Sequence, residues 1–197
     1  MGQESQTYWS CMSTRDDFAL ALKAELRATA LTKVTVSRLA ERVGVNRQTF
    51  YYHFADVYDL ARWVFERDVA GHIMAHASYA EWARGYEQLL QYFHDHYEQV
   101  CAVLNSLSHQ QREEFFLRQF REMMEAIVTE LQGDLVLDED DRAFIIDHYA
   151  ATVLGHFLRW MAGNGQEDPA VLVGRLEKIL RGAVPQSLER FARNQGQ

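Results

Sequence analysis

Residues 35–59, TVSRLAERVGVNRQTFYYHFADVYD, leave few folds open. Val36, Leu39, Ala40 and Val43 fall on one face of a helix that Thr35 can cap. Gly44 stands where a left-handed residue ends a helix, and Val45 is an apolar plug for the turn. Asn46 can cap a second helix over about Arg47–His53, with Phe50 and Phe54 inward at i, i+4. Asp56 and Asp59 can cap a longer helix that runs to about His76. An ordinary helical hairpin does not account for Tyr51-Tyr52-His53-Phe54, because so short a helix cannot bury all of these adjacent side chains. Two short helices about a glycine turn, the second with outward polar and aromatic side chains, are the parts of a helix-turn-helix. In that motif the second helix enters the major groove of DNA.

The remainder also reads as helix. Only two prolines, Pro169 and Pro185, occur in 197 residues, and apolar residues recur at helical spacing. A first helix starts at Ser13 or Thr14, with Thr14 and Asp17 resembling a capping box, and buries Phe18, Leu22 and Leu26. One stripe runs Trp82, Tyr86, Leu89, Leu90, Phe93, Tyr97 and Cys101. Another runs Phe116, Phe120, Met123, Met124, Ile127 and Leu131. A third runs Ile146, Ala150, Val153, Leu154, Phe157, Leu158 and Met161, ended by Gly163-Asn164-Gly165. Asp168 and Pro169 start the next, with Leu172, Leu176, Ile179, Leu180 and Ala183 inward, and Pro185 opens a short terminal helix. The expected fold class is all-α.

The net charge of −8 is unevenly spread. Residues 14–60 carry seven Lys/Arg against six Asp/Glu, whereas residues 61–197 carry 13 against 21. A near-neutral reader on an acidic body is expected to have weak non-specific attraction to DNA. No apolar run is long enough to span a membrane, and the N-terminus has neither a secretory nor a myristoylation pattern. Cys11 and Cys101 lack zinc-ligand spacing, so a reduced, cytoplasmic setting without a structural disulfide is the simplest expectation.

The order of a capped helix, a glycine turn and NRQTFYYHF before a further capped helix resembles the N-terminal domain of the TetR/AcrR family of transcriptional regulators. The string FYYHFADVYDL is similar to the subgroup typified by the dihydroxyacetone kinase operon activator. The resemblance implies a flexible tail over 1–13, a helix-turn-helix DNA-binding domain over 14–60, and a helical effector-binding and dimerisation domain over 61–197. Carried onto this chain, it implies DNA contacts from Thr35, Arg47, Gln48, Thr49, Tyr51, Tyr52, His53 and Tyr58. Arg47 is suited to guanine and Gln48 to adenine, and the start of the second helix with Thr35 suits a phosphate. Many family members carry a lysine three residues after the motif's last phenylalanine; here that position is Val57, followed by Tyr58.

The resemblance also implies an effector pocket, for which Trp63, His72, His76, Tyr86, Phe93, His96, Phe120 and Met124 are candidates, although any one of them taken singly reads first as core. Ala150, Val153, Leu154, Phe157, Leu158, Met161, Leu172, Leu176, Ile179 and Leu180 are read as a four-helix interface with a second copy, the other reading being one chain's core. His72 and His76 share a helix face, but no second pair completes a metal site, and no cofactor is expected. No phosphate loop or nucleophile elbow supports an enzyme. The expected function is a homodimeric, effector-responsive regulator acting as a repressor on a palindromic DNA operator. The alternative is a co-activator or protein-interaction module that keeps the fold with little DNA binding.

Overall fold

The computed structural model describes residues 13–194, so the rest of the expected N-terminal tail, with Cys11, lies outside the described residues. Ten α-helices are described: α1 Thr14–Leu26, α2 Val36–Val43, α3 Arg47–His53, α4 Val57–Met74, α5 Trp82–Asp95, α6 Tyr97–Leu104, α7 His109–Gln132, α8 Glu139–Ala162, α9 Pro169–Leu180 and α10 Ala183–Asn194. By its internal contacts the chain divides into two units. One runs up to Glu66 and includes Glu98–Ser106; the other comprises Arg67–Tyr97 and the chain from Leu107 on.

In the first unit, α1 is capped one residue earlier than the sequence suggests. Ser13 accepts from the Asp16 amide, and Asp16 returns the bond to the Ser13 amide at 3.2 Å. The reciprocal pair satisfies two of the free donors at the helix start. Phe18, Leu22, Leu39, Phe50, Phe54 and Leu60 form the core, each no more than 2 % exposed. Val36 and Val43 are half-buried, so the inward stripe of α2 is carried by Leu39 and Ala40. Asp56 accepts from the Asp59 amide at 2.8 Å and Asp59 accepts from the Ala55 amide at 3.0 Å, which starts α4 as expected. Arg15 of α1 lies 5.1 Å from the Phe54 ring centre and 4.8 Å from that of Trp63, a cation–π bracket between α1 and the start of α4.

The stripe expected as one helix from Trp82 to Cys101 is two. The chain breaks at His96 (φ −118°, ψ 28°), and α6 restarts at Tyr97. An apolar stripe sets which residues are buried but not whether the backbone stays straight between them.

In the second unit α7 and α8 pack along each other, α9 lies on α5, and α10 lies on α8 and α7. Phe93, Phe116, Phe120 and Phe157 form its centre, with the Phe116 and Phe157 ring centres 4.4 Å apart and Phe93 and Phe157 5.6 Å apart. Arg142 ties the start of α8 to the end of α7: it reaches Glu125 at 2.7 Å, Thr129 at 2.8 Å and Gln132 at 3.0 Å. Gly85 admits a close neighbour, since a Cβ there would lie 2.4 Å from the His76 Cβ.

Most of the side chains read as a dimer interface lie inside this unit instead. Ala150, Val153, Leu154 and Phe157 of α8, and Leu172, Leu176 and Leu180 of α9, are each no more than 6 % exposed in the single chain. Their surface is already covered by other helices of the same chain. Leu158 and Met161 are half-buried, and Ile179, expected inward, is 67 % exposed.

Candidate nucleic-acid interface

Three local devices set the pose of α3. The Gly44 backbone is left-handed (φ 78°, ψ 28°), and its N–H closes α2 onto the Ala40 and Glu41 carbonyls. A residue with a Cβ is strained in that region. Asn46 then caps α3, accepting from the Thr49 amide at 2.9 Å and from the Thr49 hydroxyl at 3.1 Å. Phe50 anchors the inward face: its ring meets Phe18 edge-on at 5.1 Å, and Phe54 lies 5.7 Å away.

With Phe50 inward, the other side chains of α3 point to solvent or lie along the surface. Arg47 and Gln48 are exposed, Tyr51 is 50 % exposed and Tyr52 is 85 % exposed. Arg47 Nη2 lies 3.5 Å from the Tyr51 hydroxyl, one turn on. Thr49 is half-buried and its hydroxyl is engaged with Asn46. The half-buried His53 ring packs on Tyr52 at 5.1 Å and Phe54 at 6.4 Å. Thr35 is exposed and its Oγ1 accepts from the Arg38 amide at 3.3 Å, a role that does not use the hydroxyl proton. Tyr58 is 38 % exposed at the start of α4, whereas Val57 beside it is 8 % exposed and belongs to the core. All of the residues expected to meet DNA therefore lie in one unit, at the cap of α2, on α3 and in the first turn of α4.

One cluster of this unit escapes a motif reading. Glu25 is 4 % exposed and faces two arginines of α2. Arg42 donates to its Oε1 from Nε at 3.1 Å and from Nη2 at 2.8 Å, and Arg38 Nη2 lies 2.8 Å from Oε2. The signal in the sequence is spacing: Phe18, Leu22 and Glu25 share the inward face of α1. A carboxylate in an apolar stripe requires a cationic partner.

The residues expected to line an effector pocket do not gather at one place. Trp63 sits in the first unit beside Arg15. Phe93 and Phe120 are core of the second unit. Tyr86 is 2 % exposed, its hydroxyl has no hydrogen-bond partner among the described residues, and burial pushes its pKa up. His72 and His96 flank Tyr92 at 5.3 and 4.8 Å, and Tyr92 is itself pushed up by burial and then by Asp68. His76 abuts Gly85 and lies 3.8 Å from Glu81. A cavity of about 10 Å³ in the second unit, room for about one water, is lined in part by Trp82, Met123, Met124, Ile127, Tyr149 and Val153. Met124 alone among the expected pocket residues reaches it. Among the described residues no helix is long and apolar enough to cross a membrane.

Comparisons with known proteins agree with this geometry. Residues 23–62 match the family described as bacterial regulatory proteins, tetR family. Residues 80–182, more than half of the chain, match the C-terminal region of transcriptional regulators of that family. The chain is 26 % identical over 145 residues to the HTH-type dhaKLM operon transcriptional activator DhaS of Lactococcus lactis subsp. lactis (strain IL1403), covering 71 % of this chain and 75 % of that protein. Two solved structures share the fold. One is the dihydroxyacetone kinase operon activator DhaS (TM-score 0.61, 22 % identity, 86 % of this chain and 95 % of the other). The other is the TetR family repressor AlkX from Dietzia sp. strain DQ12-45-1b, implicated in biodegradation of n-alkanes (TM-score 0.60, 16 % identity, 91 % and 97 %). Matched in both its DNA-reading and its C-terminal regions, the chain belongs to the TetR family of transcriptional regulators, which are DNA-binding proteins and not enzymes.

Proposed function

We propose that this regulator is a homodimer that represses transcription from a two-fold symmetric operator and releases it on binding a small molecule. The observation that carries the reading is α3 itself. Phe50 holds it to the core, while Arg47, Gln48, Tyr51 and Tyr52 keep exposed surface on the outer side of the helix. Arg47 and Gln48 stand at the start of the helix, where side chains of a recognition helix reach base edges. In this reading Thr35 and Tyr58 meet phosphate, and half-sites lie about one helical turn apart.

A second copy is supported by what the body leaves uncovered. Phe144 of α8 is 63 % exposed, stacks on His148 and lies 6.5 Å from Phe191 of α10. Ala151 and Gly155 continue the outward face of α8 as small residues that admit a close helix. The interface in this account is that outer face of α8 with α10, not the inward stripe.

The effector reading rests on the cavity beside Met123 and Met124. Its walls are apolar and aromatic, and the methionines can repack around an entering molecule. Release requires that the effector bind the DNA-competent and released states with different affinities. Helix α4 begins in the DNA-reading unit and its later residues belong to the body.

The curated relative is named an activator, which favours a second reading: a co-activator that acts through a protein partner. A gel shift against the promoter of the chain's own operon separates the two. Specific binding lost in Arg47→Ala supports the regulator, and absence of binding at low salt with a co-purifying protein supports the co-activator.

A further inference from the structure

The described residues offer no lysine at the start of α4, because Val57 occupies that position and is buried. Tyr58 beside it can offer only a neutral hydrogen bond, so an ionic backbone contact has to be supplied by a cation elsewhere on the reader. The first helix of a helix-turn-helix crosses the DNA backbone. Here that helix is α2, and Thr35, Arg38 and Arg42 share one of its faces at i, i+3 and i+7.

We infer that Arg38 is a phosphate-contacting residue and that Glu25 is the positioning residue that holds it ready. Glu25 is fixed first by Arg42, which takes one carboxylate oxygen with two hydrogen bonds. The other oxygen, Oε2, meets Arg38 Nη2 at 2.8 Å as an ion pair and makes no aligned hydrogen bond. The guanidinium of Arg38 is therefore drawn by charge to the buried carboxylate, while among the described residues most of its donors stay unspent and its side chain is 53 % exposed. An arginine fork held in place loses less freedom on meeting a phosphate than a free lysine does. The two arginines outweigh the single carboxylate, so the cluster keeps a net positive charge.

The inference rests on the DNA-binding reading, and its test separates the two. The probe is a 30-base-pair mixed-sequence duplex, read by fluorescence anisotropy across a salt series, with the full chain in every case. Wild-type protein that fails to bind at low salt overturns the DNA reading and this inference together. Given wild-type binding, Arg38→Ala is expected to lower the slope of log affinity against log salt by about 0.9 per subunit, and Arg38→Lys to restore it. Glu25→Gln is the sharper variant. It adds one positive charge to the reader, so charge alone demands tighter binding, whereas loss of positioning demands weaker binding. Weaker binding by folded Glu25→Gln supports the inference; equal or tighter binding overturns it. Should Glu25→Gln not fold, the Arg38 pair decides: an unchanged slope in Arg38→Ala, with only a lower melting temperature, assigns the cluster to stability and overturns the inference.

Discussion

Phe18 of α1 and Phe50 of α3 meet edge to face with ring centres 5.1 Å apart, and both are fully buried. The pair fixes the recognition helix from behind, so its outward face is set by packing that touches no DNA. Phe50→Ala is expected to cost about 3–5 kcal/mol and to abolish DNA binding by loosening the reader. Urea unfolding alongside gel shifts checks this, since binding should fall together with stability.

Arg47→Ala and Tyr51→Ala are expected to behave in the opposite way. Both side chains are exposed, and their one mutual contact is long, at 3.5 Å. Their melting temperatures should match wild type while specific binding weakens. A lost bidentate base contact reduces discrimination by about 1–3 kcal/mol. Competition between specific and non-specific duplexes reads this directly.

Two glycines fail for different reasons when given a Cβ. At Gly44 nothing lies within 4 Å of the added atom, so the cost of Gly44→Ala is the left-handed backbone alone, about 1–2 kcal/mol. Gly44→Asn should be milder, because asparagine tolerates that region. At Gly85 the backbone is permissive but a Cβ would meet His76 at 2.4 Å, so Gly85→Ala must displace the segment before α5. Thermal melts of these variants should order Gly44→Asn above Gly44→Ala, and Gly85→Ala should regain stability when His76 is also replaced by glycine.

Val57→Lys tests the missing contact at α4. The position is 8 % exposed, so the lysine stem must snorkel to carry its charge out. The variant should lose stability, by up to the roughly 1.5–3 kcal/mol of a buried valine. Its salt slope should steepen by about 0.9 per subunit if the ammonium reaches a phosphate.

Phe144→Lys tests the proposed dimer face. The side chain is 63 % exposed in the single chain, so the substitution should spare the fold while lowering self-association. Sedimentation velocity is expected to show a shift toward monomer, with DNA binding weakened in parallel. A variant that sediments like wild type places the interface elsewhere.

The parts of this fold that follow from local chemistry were readable in the sequence. Thr35, Asn46 and Asp168 cap their helices as their positions suggest, Gly44 is left-handed, and Phe50 and Phe54 are inward. Parts that depend on which face meets which neighbour were not. Ala150 to Phe157 form an apolar stripe that serves a chain's own core as well as a partner, and spacing alone does not distinguish them. Ile179 fell in register with Leu172 and Leu176, yet the packing of α9 leaves it outside. Trp63 carries an aromatic body that suits a pocket, and only the fold shows Arg15 over its ring. Glu25 was legible in principle as a carboxylate within an apolar stripe, but its arginines come from the next helix.

The most direct test of the central claim is selection from random-sequence DNA by the purified full chain, followed by the same selection with Arg47→Ala. Wild type is expected to enrich a two-fold symmetric site, with half-sites about one helical turn apart, and the variant to lose that enrichment. No enriched sequence at low salt, or an identical site selected by Arg47→Ala, would contradict it.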